Sequence, residues 1–222
     1  MKTHTKETQD NLTPKLALDI LKEGNGRFVQ NLKANRNLLE QVNDTRQGQF
    51  PFAVILSCID SRVPAEMIFD QGLGDIFSIR IAGNFINEDI LGSMEFACKV
   101  AGSKLVVILG HSQCGAIKGV CDHVQLGNLT SLLAKITPAL DSVKESGDRS
   151  SNNSEFVQRV ADKNVDLALA QVTSQSPVLK EMLDNEEIGI ISAMYSVDTG
   201  KVDFHNLSSV IKDTAPNELA SV

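Results

Sequence analysis

Phe50-Pro51-Phe52-Ala53-Val54-Ile55-Leu56-Ser57 is an almost unbroken apolar run, and Cys58-Ile59-Asp60-Ser61-Arg62 follows it at once. A run of this length predicts a strand buried on both faces, as in a parallel sheet covered by helices. Lys104-Leu105-Val106-Val107-Ile108-Leu109-Gly110 repeats the arrangement, with His111-Ser112-Gln113-Cys114 directly behind it. Each apolar strand therefore ends in residues able to hold a metal. Open α/β sheets bind ligands at the carboxyl ends of strands whose connections run in opposite directions. If these two strands are neighbours, the two motifs meet although they are far apart in sequence.

Outward from this pair, Ile76 to Ala82 and Ile188 to Tyr195 predict two further strands, and a helix spans about Glu88 to Val100. Helical patterns recur near 115–123, 126–145 and 154–175. A turn at Asp198-Thr199-Gly200 makes Lys201 to His205 an antiparallel neighbour of the strand before it. The expected fold is α/β, with a mostly parallel central sheet of about four parallel strands plus an antiparallel edge strand and helices on both faces. Before Phe50, residues 1–12 read as a polar, mobile tail. Thr13-Pro14 reads as the cap and first position of a helix that carries Leu16, Ala17, Ile20, Leu21 and Phe28. Gly24 and Gly26 weaken that helix, and 31–49 is a polar connector or wrapping arm. The expected division is a tail and helical arm over 1–49 and a domain over 50–222 that carries both metal-holding motifs and so the expected catalytic residues. The polar stretch Ser146 to Ser154 is a surface loop within it.

Composition narrows the function classes. The 222 residues carry a formal net charge of -7, which argues against a nucleic-acid binder, since such proteins concentrate Lys and Arg. No stretch approaches the ~18 uninterrupted apolar residues of a membrane span. The N-terminus lacks the apolar core of a secretory signal. Four cysteines are too few for a disulfide scaffold, so a reducing, cytoplasmic setting is expected.

Two thiolates and an imidazole, from Cys58, Cys114 and His111, are ligands that Zn2+ prefers, and three protein ligands leave a fourth position open for chemistry. Cys58 and Asp60 are two apart, so an extended backbone puts both on one face; a helical turn would bring His111 and Cys114 to one side. Zinc with two thiolates and a neutral histidine has no net charge, so water at the open position stays more basic than at an all-histidine site. Activity should then rise toward alkaline pH. Asp60 is placed to accept a hydrogen bond from that water, while Arg62 holds the carboxylate away from the metal.

Together, Cys58-x-Asp60-Ser61-Arg62, Arg80-Ile81-Ala82-Gly83-Asn84 and Gly110-His111-Ser112-Gln113-Cys114-Gly115 resemble the β-class carbonic anhydrases from about Leu16 to Phe204. The resemblance implies one zinc per subunit on Cys58, His111 and Cys114, with Asp60 and Arg62 as catalytic dyad. It further implies that Gln49 hydrogen-bonds the substrate, that Phe77 and Phe96 line an apolar pocket, and that the substrates are carbon dioxide and bicarbonate. In that family the pocket residues come partly from a second subunit whose N-terminal helix wraps its neighbour, so a homodimer or dimer of dimers is implied. Two residues depart from the pattern. Ile81 stands where many relatives have asparagine, and Ile55 stands where some have the tryptophan of an inhibitory bicarbonate pocket. Tyr195 matches that pocket's tyrosine, but the chain contains no Trp, so no bicarbonate switch is expected.

Two other readings keep the same residues. One is hydrolysis of carbonyl sulfide or carbon disulfide at the same site. The other is a non-catalytic zinc or thiol-redox protein, which has no use for Arg62 beside Asp60. Cys98 and Cys121 fall in apolar helical patterns and read as core, while His123 and His205 read as surface or packed histidines.

Overall fold

The computed structural model describes residues 2–205, so the end of the expected catalytic domain, 206–222, lies outside the described residues. In chain order the elements are α1 (Lys6–Asp10), α2 (Pro14–Val29), α3 (Leu38–Thr45), β1 (Ala53–Ser57), α4 (Ala65–Ile68), β2 (Ile76–Arg80) and α5 (Glu88–Glu95), which runs into a π-helical turn, Phe96–Val100. Next come β3 (Leu105–His111), α6 (Gly115–Cys121), α7 (Gly127–Ala134), α8 (Thr137–Ser142), α9 (Ser154–Gln175), α10 (Pro177–Asp184), β4 (Gly189–Tyr195) and β5 (Val202–His205).

The sheet order is β2-β1-β3-β4-β5, parallel except for the antiparallel β4–β5 pair. The fold is the expected mostly parallel α/β sheet, and β1 and β3 are direct neighbours, Ala53 opposite Leu105 through Leu56 opposite Ile108. β1 continues to β2 on one side and has β3 on the other, so the crevice between β1 and β3 is the switch point of the sheet. Successive side chains alternate faces. Val54, Leu56, Val106, Ile108 and Ile190 join the core under α5 to α10. Ala53, Ile55, Val107, Leu109, Ile191 and Ala193 join the core under α2 and α4. Both faces are dry, which explains the unbroken apolar runs.

The N-terminal region differs from its expectation. Residues 6–10 form α1, closed by a capping box between Thr5 and Thr8. Fully buried Gln9 donates to the Pro51 and Ala101 carbonyls, each at 2.8 Å. A polar residue has become an anchor because two carbonyls at the base of the sheet needed a donor. Thr13 caps α2 as expected, accepting from Leu16 N–H. α2 runs unbroken through Gly24, which lets it dock: a Cβ there would lie 1.8 Å from the Phe69 carbonyl oxygen. The connector contains α3, and Arg27, Arg36 and the Ala34 N–H converge on Asp70, which ties the arm to its own chain.

Two helical expectations also change. The pattern over 126–145 divides into α7 and α8, broken at 135–136 ahead of Pro138 near the start of α8. The helix over 88–100 is α-helical only to Glu95, then widens by one residue per turn, with Ala101 N–H reaching Phe96 O.

Candidate metal centre

Cys58 leaves β1 one residue past its last paired position, and His111 closes β3. Beyond His111 the chain makes a tight turn, not the helical turn expected, with Gln113 in the left-handed region at φ 58°. Cys114 thereby swings back to cap α6. The ligand-grade atoms of Cys58, His111 and Cys114 all lie within 4.8 Å of one another, and all three residues are buried.

These donors fit a zinc ion. The two sulfurs are 4.0 Å apart; on a tetrahedral zinc with Zn–S of about 2.3 Å they would sit about 3.8 Å apart. The His111 Nδ1–H donates to the Ser112 carbonyl at 2.9 Å, which leaves the Nε2 lone pair for the metal. Nε2 is buried with no hydrogen-bond partner among the described residues, as expected of a nitrogen reserved for an ion. The sulfurs compete for one proton. Its hydrogen bond with Cys114 pulls the Cys58 thiol down to about 4 against burial, aided by His111 and the Gly83 and Asp60 amides. The same contact, with burial, pushes Cys114 up. A divalent ion binding both sulfurs displaces that proton.

Asp60 sits beside this cluster, held by Arg62. The Arg62 backbone N–H donates to Oδ1 at 3.0 Å, its Nε to Oδ1 at 2.9 Å and its Nη2 to Oδ2 at 2.8 Å. The Arg62 side-chain hydrogen bonds hold the Asp60 carboxyl well below the usual carboxylate range despite its partial burial, with the backbone N–H adding to them. A carboxylate offers about four acceptor sites; Arg62 takes three and leaves one for a further donor. Behind the loop, Arg80 donates from Nε to the Cys58 carbonyl at 3.0 Å and from Nη2 to the Asp60 carbonyl at 2.6 Å. Arg80 is the fixing residue that its motif did not reveal.

The expected substrate-binding residues lie elsewhere. Gln49 is exposed at the opposite, amino-terminal edge of the sheet, before β1. Phe77 pairs with Val54, three positions below the Ser57–Arg80 pair. Its ring packs edge-on against Phe96, centroids 6.2 Å apart, and Phe96 is 52% exposed. So Cys58, His111, Cys114, Asp60 and Arg62 come together within one chain, and Gln49, Phe77 and Phe96 do not join them. Ile55 is buried in the α2-side core together with Tyr195. Cys98 is core, its thiol pushed up to about 12 by burial. Cys121 is core too, while His205 approaches Ser192 Oγ at the sheet edge.

A family model described as carbonic anhydrase matches residues 53–202. Carbonic anhydrase 2 of Mycobacterium tuberculosis is 34% identical over 197 residues, covering 86% of this chain and 92% of that protein. A carbonic anhydrase of Mycolicibacterium smegmatis is 34% identical over 203 residues, covering 88% and 95%. Among solved structures, the β-carbonic anhydrase CafA of Aspergillus fumigatus superposes with a TM-score of 0.67 at 27% identity, covering 86% of this chain and 90% of that one. A tetrameric β-carbonic anhydrase of Sordaria macrospora shares the fold, with a TM-score of 0.64 at 21% identity and coverage of 75% and 90%.

Proposed function

The chain belongs to the β-class carbonic anhydrases, and we propose that Asp60 and Arg62 form its catalytic dyad beside zinc held by Cys58, His111 and Cys114. Its reaction is the reversible, zinc-dependent hydration of carbon dioxide to bicarbonate and a proton, a lyase activity. When bound, zinc would supply a Lewis-acidic position that makes water a nucleophile, at a higher pH than an all-histidine site does.

The remaining work falls to the chain's own groups. Asp60 offers its free acceptor site to the reacting water and so orients it. Its lowered proton affinity keeps it an acceptor, and the released proton passes on to buffer. Arg62 both keeps that carboxylate ionised and aims it. Arg80 fixes the two carbonyls that set the spacing between ligand and acceptor. The observation that carries the reading is the tight, buried trio of ligand atoms with an acceptor held next to it.

The apolar wall of the pocket comes from a second copy. Gln49 is separated from Cys58 by at least the length of β1, about 16 Å at ~3.3 Å per residue, so it cannot reach the centre of its own chain. Phe77 lies on an edge strand beside exposed Phe96 and Val100, and α3 exposes Leu38, Leu39 and Val42. Apolar groups in this arrangement support a homodimer, or a dimer of dimers, in which Gln49, Phe77 and Phe96 of one protomer complete the site of the other. Gln49 then steadies a substrate oxygen while the rings exclude water. Four free cysteines favour a reducing compartment such as the cytoplasm.

Zinc analysis combined with a carbon dioxide hydration assay tests the reading. About one zinc per chain, with activity lost to a chelator and restored by zinc, is expected. Full activity in zinc-free protein would overturn it.

A further inference from the structure

Helix α9 carries a buried face of Phe156, Val157, Val160, Ala161, Val165, Ala168 and Val172, and one polar residue, Asn164, interrupts it. Asn164 is 5% exposed. Mid-helix asparagine is a poor helix former, and burying an amide costs free energy unless it finds a partner. The partner is remote in sequence: Nδ2 donates to the Gly83 carbonyl at 2.9 Å. Gly83 in turn donates its N–H to the Cys58 sulfur at 3.4 Å.

Gly83 reaches that sulfur from a closely packed position that only glycine can take. Its φ is +75°, and a Cβ there would lie 2.3 Å from Ile136 Cδ1 and 3.3 Å from Ala116 Cβ. The residue is boxed by α6 and by the segment between α7 and α8, and its carbonyl is pinned by α9. The carbonyl and the N–H lie in the two peptide planes that meet at the Gly83 Cα, so pinning the carbonyl in this packed position restrains the N–H through the two Gly83 torsions. We propose that Asn164 is a positioning residue of the metal centre, holding Gly83 so that its N–H points at the Cys58 sulfur. A hydrogen bond to a thiolate ligand withdraws charge from the sulfur, orients it and tunes the ion it binds. The role is distinct from that of Asp60, since Asn164 touches neither substrate nor metal. It rests on Cys58 being a zinc ligand.

The test uses full-length Asn164→Leu, which keeps the branched shape, though bulkier, and removes the donor. Asn164→Ala, smaller and a better helix former, carries the same test should the leucine variant not fold, and Asn164→Gln retains a donor. Two readouts are taken on each protein: zinc affinity by competition with a chromophoric chelator, and the thiolate-to-metal charge-transfer band after cobalt substitution. Loss of the donor should weaken zinc binding by about tenfold to a hundredfold, the scale for losing an outer partner of a ligand. It should also shift the cobalt band, with Asn164→Gln recovering part of both. A residue that merely stabilised the loop would lower the melting temperature of the metal-free protein and leave the band unmoved. Wild-type affinity and an unshifted band in the donor-less variants would overturn the inference while the unaltered protein's band keeps the zinc reading intact. Absence of any thiolate band in the unaltered protein would overturn both.

Discussion

Asp60→Asn separates chemistry from folding more sharply than any other single substitution at the centre. Arg62 directs three donors at residue 60, and an asparagine there has only one oxygen to meet them. That oxygen turns to Arg62, so the amide NH2 faces the reacting water and offers a donor where an acceptor is needed. The loss should be at least ~10²-fold in kcat/KM, the lower scale for losing acid–base assistance, which is about 2.7 kcal/mol of barrier. The fold should change little, because the Arg62 side chain is half exposed although Asp60 is mostly covered, and a pair screened on one side is worth about 1 kcal/mol. Stopped-flow hydration with a pH indicator measures the first quantity. Zinc content and thermal unfolding measure the second, with a change of no more than a few degrees expected. Near-wild-type hydration by the zinc-loaded variant would remove Asp60 from the mechanism.

Two further outcomes follow from the arm and the pocket. Burial raises the Asp70 carboxyl, but hydrogen bonds from Arg27, the Ala34 N–H and Arg36 more than offset it and hold the group below its usual range. Its contribution to stability is therefore present above the unfolded carboxylate value of about 4 and lost as pH falls through the lower folded value. Asp70→Asn removes the carboxylate on which Arg27, the Ala34 N–H and the mostly buried Arg36 side chain converge. It should cost about 3 kcal/mol at pH 7 and less at pH 3; urea unfolding that shows the same deficit at both would refute the assignment. In the pocket, Gln49→Ala should lower kcat/KM about tenfold, the scale of one hydrogen bond. Mixing it with Asp60→Asn under subunit exchange should restore about a quarter of wild-type activity, since half the dimers then hold one intact site of two. No recovery on mixing would place Gln49 and Asp60 in the same protomer's site.

The sheet and the ligand trio were legible because each depends on short-range pattern. β1 and β3 are dry on both faces and so appear as unbroken apolar runs, and the ligands sit where those runs stop. α9 was legible from its long apolar period, expected near 154–175 and found over Ser154–Gln175, although its cap at Asn153 was not marked. What stayed hidden depends on contacts made at a distance. α1, α3 and α4 are short helices, held by Gln9, by the Asp70 cluster and by packing on α2, and the apolar side chains of α3, Leu38, Leu39 and Val42, face outward instead of joining the core. α10, capped by Ser176, went unmarked between two stronger elements. The turn at Gln113 needed a left-handed residue that is not glycine, which no spacing rule signals. Asn164 had one faint signal, a polar residue between Ala161 and Val165 on an apolar face. Gly83 was inside a recognised motif, but its packing was invisible without Ile136.

The anchor at Gln9 bears on how the molecule can be handled in the laboratory. Thr13-Pro14 looks like a natural place to begin a shortened version, since everything before it is polar. Such a trim would unplug the floor of the sheet. Pro51 would keep Ser103 as a donor, whereas the Ala101 carbonyl would lose Gln9 and the Gly102 backbone would lose the amide packed against it. The π-helical turn ends at that spot, and Phe96 starts it, so an innocent-looking deletion at one edge of the protein would loosen the footing of the aromatic ring proposed above for a neighbour's site.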